Sequence, residues 1–100
     1  LKNVSPFLQL LQGAILTRAG QAKAGLADIE PALAAMVHSR GEDSVWTANA
    51  HLLHAQALAA LGRNKQAEAE SAPAWAVLQR MLDPNHIELR RHRVILSTWW

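Results

Sequence analysis

The feature that most constrains this chain is an internal sequence repeat. When the sequence is shifted by 42 positions it aligns with itself without a gap, and nine of the 33 pairs that join residues 8–40 to residues 50–82 are identical. Squaring the residue frequencies gives about three identities by chance. The matched pairs include Gly20 with Gly62 and Pro31 with Pro73, residue types that restrict backbone geometry. Such a period predicts successive copies of one supersecondary unit.

The same shift continues into a third, incomplete unit. Val94 occupies the position of Leu10 and Leu52. Asp43 is predicted to cap the helix that begins near residue 44, and Asn85 occupies the same position in the third unit; both residue types are good helix N-caps. We therefore expect about two and a half repeats.

The repeat divides the chain into three units of about 1–40, 41–82 and 83–100, the last one incomplete. The sequence begins at Leu1 without a methionine and ends on two tryptophans. We interpret residues 1–100 as a single helical-repeat fragment of a larger protein, because about three repeats are usually needed for a stable stack.

The composition favours helices over strands. The 100 residues include 19 Ala and 15 Leu, both strong helix formers, whereas the residues enriched in strands are scarce. The chain has no Cys, which excludes disulfides, Cys-ligated zinc and Cys nucleophiles. These observations predict an all-α fold.

Each unit is predicted to contain two antiparallel helices. Gly20 and Gly62 end the first helix of each pair, because glycine readily adopts the left-handed conformation found there. Stacked pairs of this kind form an α-solenoid. The five predicted helices cover about 5–19, a second stretch ending near 39, about 44–61, about 65–82, and 86 to near the C-terminus.

Pro31 and Pro73 lie midway along the second helix of their units. An interior proline removes a hydrogen bond and costs about 3 kcal/mol. Either the helix continues with a kink, or it is two pieces with proline at the start of the later one. The recurrence of proline in register favours the kinked, continuous helix.

The segment from Ala55 to Glu68 resembles the turn region of a tetratricopeptide repeat (TPR). In that family a small residue packs between the helices, Gly ends the first helix and Ala opens the second, as Gly62 and Ala67 would here. The spacing of the repeat and the loop at 82–86 are similar to the longer repeats of kinesin light chains and of bacterial multidomain regulators. The resemblance implies a protein–protein interaction scaffold that binds a peptide, a partner protein or another domain of its parent chain, which could be a bacterial kinase or transcription regulator.

The same resemblance implies that partners bind in a concave groove lined by the first helix of each unit. The Lys, Asn and Arg set with which some relatives bind a C-terminal carboxylate is absent, so a chaperone-tail receptor is not expected. The groove positions implied are Phe7, Leu10, Ala14 and Thr17 in the first unit, Asn49, Leu52, Gln56 and Ala59 in the second, and Arg91, Val94 and Thr98 in the third.

An alternative function is a nucleic-acid-binding helical module. Arg90, Arg91 and Arg93, with His92 between them, form the one dense basic run of the sequence, and such a run could neutralise phosphates. No aromatic residue is interleaved with these arginines, and on a helix they would spread around most of its circumference. We therefore favour a solvated face and a protein partner over nucleic acid.

We expect neither a metal nor a cofactor, and no enzymatic activity. His51 and His54 are three residues apart on one predicted helix, but a zinc site needs a third ligand. A partly buried, hydrogen-bonded His54 is the simpler interpretation. Glu68 and Glu70 are expected on the exposed side of a helix near Lys65, outside any cleft that would make them a general acid–base pair.

The four tryptophans receive two interpretations. Trp46 and Trp75 are expected to pack between helices. Trp99 and Trp100 end the chain with no following helix to cover them, so they could pack back on the second unit, meet the parent chain or mediate self-association.

We expect a cytoplasmic protein with no membrane partner. The stretch 44–62 carries no formal charge but contains Asn49, His51, His54 and Gln56, which are costly in hydrocarbon.

Overall fold

The computed structural model describes residues 5–81, which form four α-helices and no β-strand. The all-α prediction is confirmed for these residues. The observed helix ends lie within one or two residues of the predicted ends, for every end that the sequence predicted in this region. The fifth predicted helix, from residue 86, lies outside the described residues. The helices are α1 (Pro6–Arg18), α2 (Ala22–Arg40), α3 (Val45–Ala60) and α4 (Asn64–Met81).

Serine side chains cap the first helix of each pair. Ser44 Oγ accepts hydrogen bonds from the backbone N–H of Trp46 at 3.1 Å and of Thr47 at 3.3 Å, and Ser5 caps α1 in the same way. Such a cap satisfies N–H groups that have no partner inside the helix. The prediction that Asp43 caps this helix is wrong by one residue.

A glycine lies in the turn between the two helices of each pair. Gly20 has φ +85° and Gly62 has φ +83°, in the left-handed region where a side chain would be strained. In each turn the residue after the glycine donates a backbone hydrogen bond to the carbonyl four residues before the glycine: Gln21 to Leu16 at 2.8 Å and Arg63 to Leu58 at 2.9 Å.

Both interior prolines lie inside uninterrupted helices. Pro31 is within α2 and Pro73 is within α4. The predicted continuity of both helices is therefore confirmed, and the alternative of two shorter pieces is wrong, while the kink at each proline stays a prediction. Both proline side chains are exposed, so neither occupies space in the core.

The helices pack in chain order. α1 packs on α2, α3 packs on α4, and α3 also packs on α2 with a smaller contact to α1. Two helical hairpins, α1–α2 and α3–α4, therefore lie side by side. The faces between them are rich in alanine, which lets helix axes approach closely.

The apolar core consists of two clusters. The larger cluster joins α1, α2 and α3 and reaches Ala67 of α4, with Ile29 and Met36 among its fully buried members. The smaller cluster lies between α3 and α4. It is formed by Ala48, Leu52, Ala74 and Leu78, with Val45, Trp75 and Val77 packed against it.

Within residues 5–81, none of the helices combines the length and the apolar character needed to cross a lipid bilayer.

Candidate functional site

The structure buries several of the residues expected to line a groove. Leu10 is 3% exposed, Thr17 is 8% exposed and Leu52 is 2% exposed, and Ala14 is buried as well. These side chains pack inside the helical layers and do not present themselves to a partner. Asn49, Gln56 and Ala59 are half-buried, while Arg91, Val94 and Thr98 lie outside the described residues.

Phe7, the remaining predicted groove residue, belongs to an exposed cluster with Trp46 and Arg40. The Phe7 and Trp46 rings meet edge to face with centroids 4.9 Å apart. The Arg40 guanidinium carbon lies 5.7 Å from the Phe7 ring centroid and 5.5 Å from that of Trp46. We call these three residues the aromatic–arginine cluster.

Three helix ends build the aromatic–arginine cluster. Phe7 is in the first turn of α1, Trp46 is in the first turn of α3, and Arg40 is the last residue of α2. Antiparallel packing brings these ends together. Trp46 was expected to pack between helices, but it remains 48% exposed. Only part of its surface is therefore packed against other residues.

A stripe of exposed apolar side chains runs along α1. Leu8, Leu11 and Ile15 are 61%, 49% and 58% exposed. Their spacing of three and four residues places them on one face of the helix. An amphipathic helix normally turns such a face toward a neighbour, so this stripe is a second apolar surface of the first hairpin.

Two histidines and three glutamates form a continuous hydrogen-bonded set, which we call the histidine–carboxylate network. Glu70 of α4 accepts from both histidines of α3, through Oε2 from His51 Nδ1 at 2.8 Å and through Oε1 from His54 Nδ1 at 2.6 Å. The outer ring nitrogens contact two further carboxylates. His51 Nε2 lies 2.9 Å from Glu42 Oε2, and His54 Nε2 lies 3.1 Å from Glu30 Oε2.

The network raises the pKa of both imidazoles. The hydrogen bond to Glu70 is the largest cause for each histidine. It outweighs burial, which lowers the pKa, and is reinforced by Glu42 at His51 and by Glu30 at His54. The pKa of each histidine rises because a neighbouring carboxylate stabilises the charged imidazolium more than the neutral ring.

Glu70 is the half-buried centre of this network. Burial alone would raise its pKa, but the hydrogen bonds from His51 and His54 dominate and lower it to about 2. The Glu70 side chain is only 17% exposed, so the expectation that it lies on the exposed side of its helix is wrong. Glu68 is exposed as expected. A carboxylate with so low a pKa is a poor proton acceptor near neutral pH, so the network resembles a structural ion pair more than an acid–base centre.

His54 is partly buried and hydrogen-bonded, as the sequence predicts. In the described part of the chain, no group of three or more His, Asp or Glu side chains is arranged to hold a metal ion. The short N···O distances leave the Nδ1 atoms facing carboxylate oxygens rather than a shared empty point.

A cavity of about 470 Å³ opens between α3 and α4 beside the network. His51, Glu42 and Glu70 contribute polar groups to its wall. Asp43 and Arg80 also line it and form an ion pair at 2.6 Å. The remaining lining is small and apolar: Ala48, Pro73, Ala74, Ala76 and Val77.

Some of these residues could be found from the sequence and others could not. Spacing places His51 and His54 together, but nothing local links them to Glu30, which belongs to a different helix. The Arg90–Arg93 run and the Trp99–Trp100 pair lie outside the described residues.

No protein-family model, no curated protein and no solved structure matches this sequence.

Proposed function

We propose that this chain is a cytoplasmic interaction scaffold, a TPR-like segment of about two and a half repeats and five helices that binds a peptide or partner domain. On this proposal it is a helical-repeat part of a larger protein, such as a bacterial kinase or transcription regulator. The partner is a protein rather than nucleic acid or membrane, and the chain performs no chemistry of its own.

The register of the two hairpins supports a repeating architecture. α2 begins at Ala22 and α4 begins at Asn64, and the shift that aligns the sequence with itself superimposes these two positions. The turns before them share the glycine conformation and the closing hydrogen bond. A third unit that continues this register would place its helix against the α3–α4 hairpin, as α3 lies against α2.

The aromatic–arginine cluster is the observation that carries the binding proposal. Trp and Arg are among the residue types most enriched at the positions that dominate binding energy in protein interfaces. Phe7, Trp46 and Arg40 lie together, and the two rings keep 40% and 48% of their surface exposed. A guanidinium held over two aromatic rings offers a cation beside apolar surface, which suits a peptide that combines an acidic and an apolar side chain.

Because of this cluster, the proposed binding surface differs from the predicted groove. The groove positions Leu10, Thr17 and Leu52 support the core, so a partner would contact the edge where α1 and α3 begin. From there the exposed stripe on α1 extends the apolar surface, because Leu11 lies one turn beyond Phe7.

Selection from a random peptide display library tests this function. We expect an enriched acidic–apolar motif, and synthetic peptides of that motif should bind with Kd near the micromolar range. Trp46→Ala should weaken binding by tenfold or more, equivalent to about 1.4 kcal/mol. Leu61→Ala is the matched control, since Leu61 is a similarly exposed apolar residue in the turn between α3 and α4.

Circular dichroism of both variants shows that loss of binding is not loss of folding. A library that yields no enriched motif, or a motif that binds Trp46→Ala as well as the unchanged chain, contradicts the proposed surface.

A further inference from the structure

The histidine–carboxylate network connects α3 with α2, with the loop between α2 and α3, and with α4. Glu30 belongs to α2, Glu42 to the α2–α3 loop, and Glu70 to α4, while His51 and His54 project from α3. The network therefore joins the first hairpin to the second by direct side-chain hydrogen bonds. Packing of apolar side chains also holds these elements together, but the strength of that packing does not change with pH.

The geometry of the network requires four N–H donors. Each of the four ring nitrogens lies 2.6–3.1 Å from a carboxylate oxygen. A neutral imidazole has one N–H donor and one acceptor nitrogen, whereas an imidazolium has two donors. Loss of one proton would leave a nitrogen lone pair facing a carboxylate oxygen, and the two would repel each other.

Charge leads to the same conclusion. With both imidazoles protonated, the two positive charges face three negative carboxylates. With both neutral, three carboxylates share a small region without compensation, and like charges at such distances are destabilising. Two further charged groups line the cavity next to His51, but Asp43 and Arg80 neutralise each other through their ion pair.

Burial is graded along the network. The side chains of His54, Glu70 and His51 are 12%, 17% and 24% exposed, while Glu30 and Glu42 are 61% and 63% exposed. The centre is sheltered enough for its charges to interact strongly. The outer carboxylates are open to water, so protons can exchange with solvent without unfolding of the helices.

We propose that the histidine–carboxylate network is a proton-dependent clamp, which holds the α3–α4 hairpin on α2 when both imidazoles are protonated and weakens that attachment when they lose their protons. This inference concerns the packing of the hairpins and does not rest on the proposed binding function. Histidine is suited to the role because its charge changes near physiological pH.

The direction of the pH effect follows from linkage. Both histidines have folded-state pKa values above the unperturbed 6.5. Their contribution to stability is therefore fully present below about pH 6.5 and is lost as the pH rises through the folded-state values.

Nitrogen-15 NMR of the imidazole rings tests the protonation state. We expect both nitrogens of His51 and His54 to show imidazolium shifts at pH 6.5, with titration midpoints above that pH. Assignment uses the His51→Gln and His54→Gln variants. Midpoints at or below 6.5 for both rings would overturn the proposal.

Thermal unfolding between pH 6 and pH 9 tests the clamp itself. The unchanged chain should lose about 5 °C or more in Tm over this range, a shift that small domains show for modest stability changes. The double variant His51→Gln/His54→Gln should start lower and change little. His38→Gln is the matched control, since His38 is an exposed histidine on α2, and it should retain the pH dependence of the unchanged chain.

Should the double variant not fold, Glu30→Gln gives the decisive measurement, because this exposed residue can be changed without opening the core. It should reduce the pH dependence of Tm by removing the negative charge that Glu30 places beside the His54 imidazolium. An unchanged slope in Glu30→Gln, or a slope in the double variant equal to that of the unchanged chain, contradicts the clamp.

Discussion

At the scale of single residues, two glycines determine how closely α1 and α2 can approach. A Cβ atom on Gly13 would lie 2.5 Å from Ile29 Cγ1 and 2.8 Å from the Gly25 carbonyl oxygen. A Cβ atom on Gly25 would collide with Thr17 Oγ1 and would lie 2.7 Å from the Gly13 carbonyl oxygen. The backbones of the two helices therefore pack directly on each other, and backbone atoms cannot move aside as a flexible side chain could.

Gly25→Ala should destabilise the protein, although alanine is the better helix former. The added methyl group meets backbone and a buried hydroxyl, and such overpacking costs about 1–3 kcal/mol, which exceeds the gain of up to about 1 kcal/mol in helix propensity. Urea unfolding measures the difference. Ala24→Ser, which adds one heavy atom at an exposed neighbouring position, should change stability little. Equal or greater stability of Gly25→Ala would show that the helices are not in close contact there.

Glu70 is the residue on which both histidines depend. Glu70→Gln keeps the shape but removes the charge and one of two acceptors, so we expect a loss of about 1.5–3 kcal/mol at pH 6–7, the range for hydrogen bonds to charged groups. Chemical denaturation at pH 6.5 measures this loss. Glu68→Gln, an exposed acid on the same helix, is the control and should have little effect. Similar losses in both variants would mean that net charge, and not the network, is responsible.

At the scale of helices, the prolines of α2 and α4 are exceptions to an otherwise helix-favouring sequence. Both helices continue through Pro31 and Pro73, because burial of their apolar faces outweighs the local cost of a lost hydrogen bond. Local propensity signals alone could not decide between one helix and two. The recurrence of proline at the same place in both hairpins was the signal that favoured continuity.

Pro31→Ala tests whether this cost is still present in the folded protein. Pro31 is exposed, so alanine removes no core contact and restores a backbone N–H donor inside α2. We expect a gain in stability of about 1–3 kcal/mol, bounded by the roughly 3 kcal/mol penalty of an interior proline. Calorimetry of the variant measures the gain. A clear loss of stability would instead mean that the packing of α2 on α3 requires a bend at residue 31.

At the scale of the whole molecule, the network predicts loss of stability on both sides of a limited pH range. The alkaline side depends on the histidines, as argued above. The acid side depends on Glu70, whose pKa falls from 4.5 to about 2 in the folded state. Its contribution is present above pH 4.5 and is lost as the pH falls toward 2, because the unfolded chain then binds the proton more readily.

We therefore expect the free energy of unfolding to decrease between pH 4.5 and pH 2 by up to about 3 kcal/mol from this residue, at about 1.36 kcal/mol per unit of pKa. Urea titrations at several pH values give this curve. Glu70→Gln should show a shallower decrease, while Glu68→Gln should follow the unchanged chain. Parallel curves for all three proteins would place the acid sensitivity elsewhere.

The sequence by itself determined the helices of the described region, because the signals that start and stop them are local. The Ala and Leu content and the two turn glycines act within one or two turns of helix, and the internal repeat shows the same signals twice. The same local signals placed His51 and His54 on one helix and predicted a hydrogen-bonded, partly buried His54.

Only the tertiary structure decided which faces are buried and which distant side chains meet. Leu10, Thr17 and Leu52 were expected at a surface and lie in the core, because the angle between packed helices determines which face is covered. Glu70 bonds to two histidines of a neighbouring helix, and Phe7 of α1 meets Trp46 of α3. Such pairs depend on how two helices lie against each other, and the periodicity of one helix carries no information about that geometry.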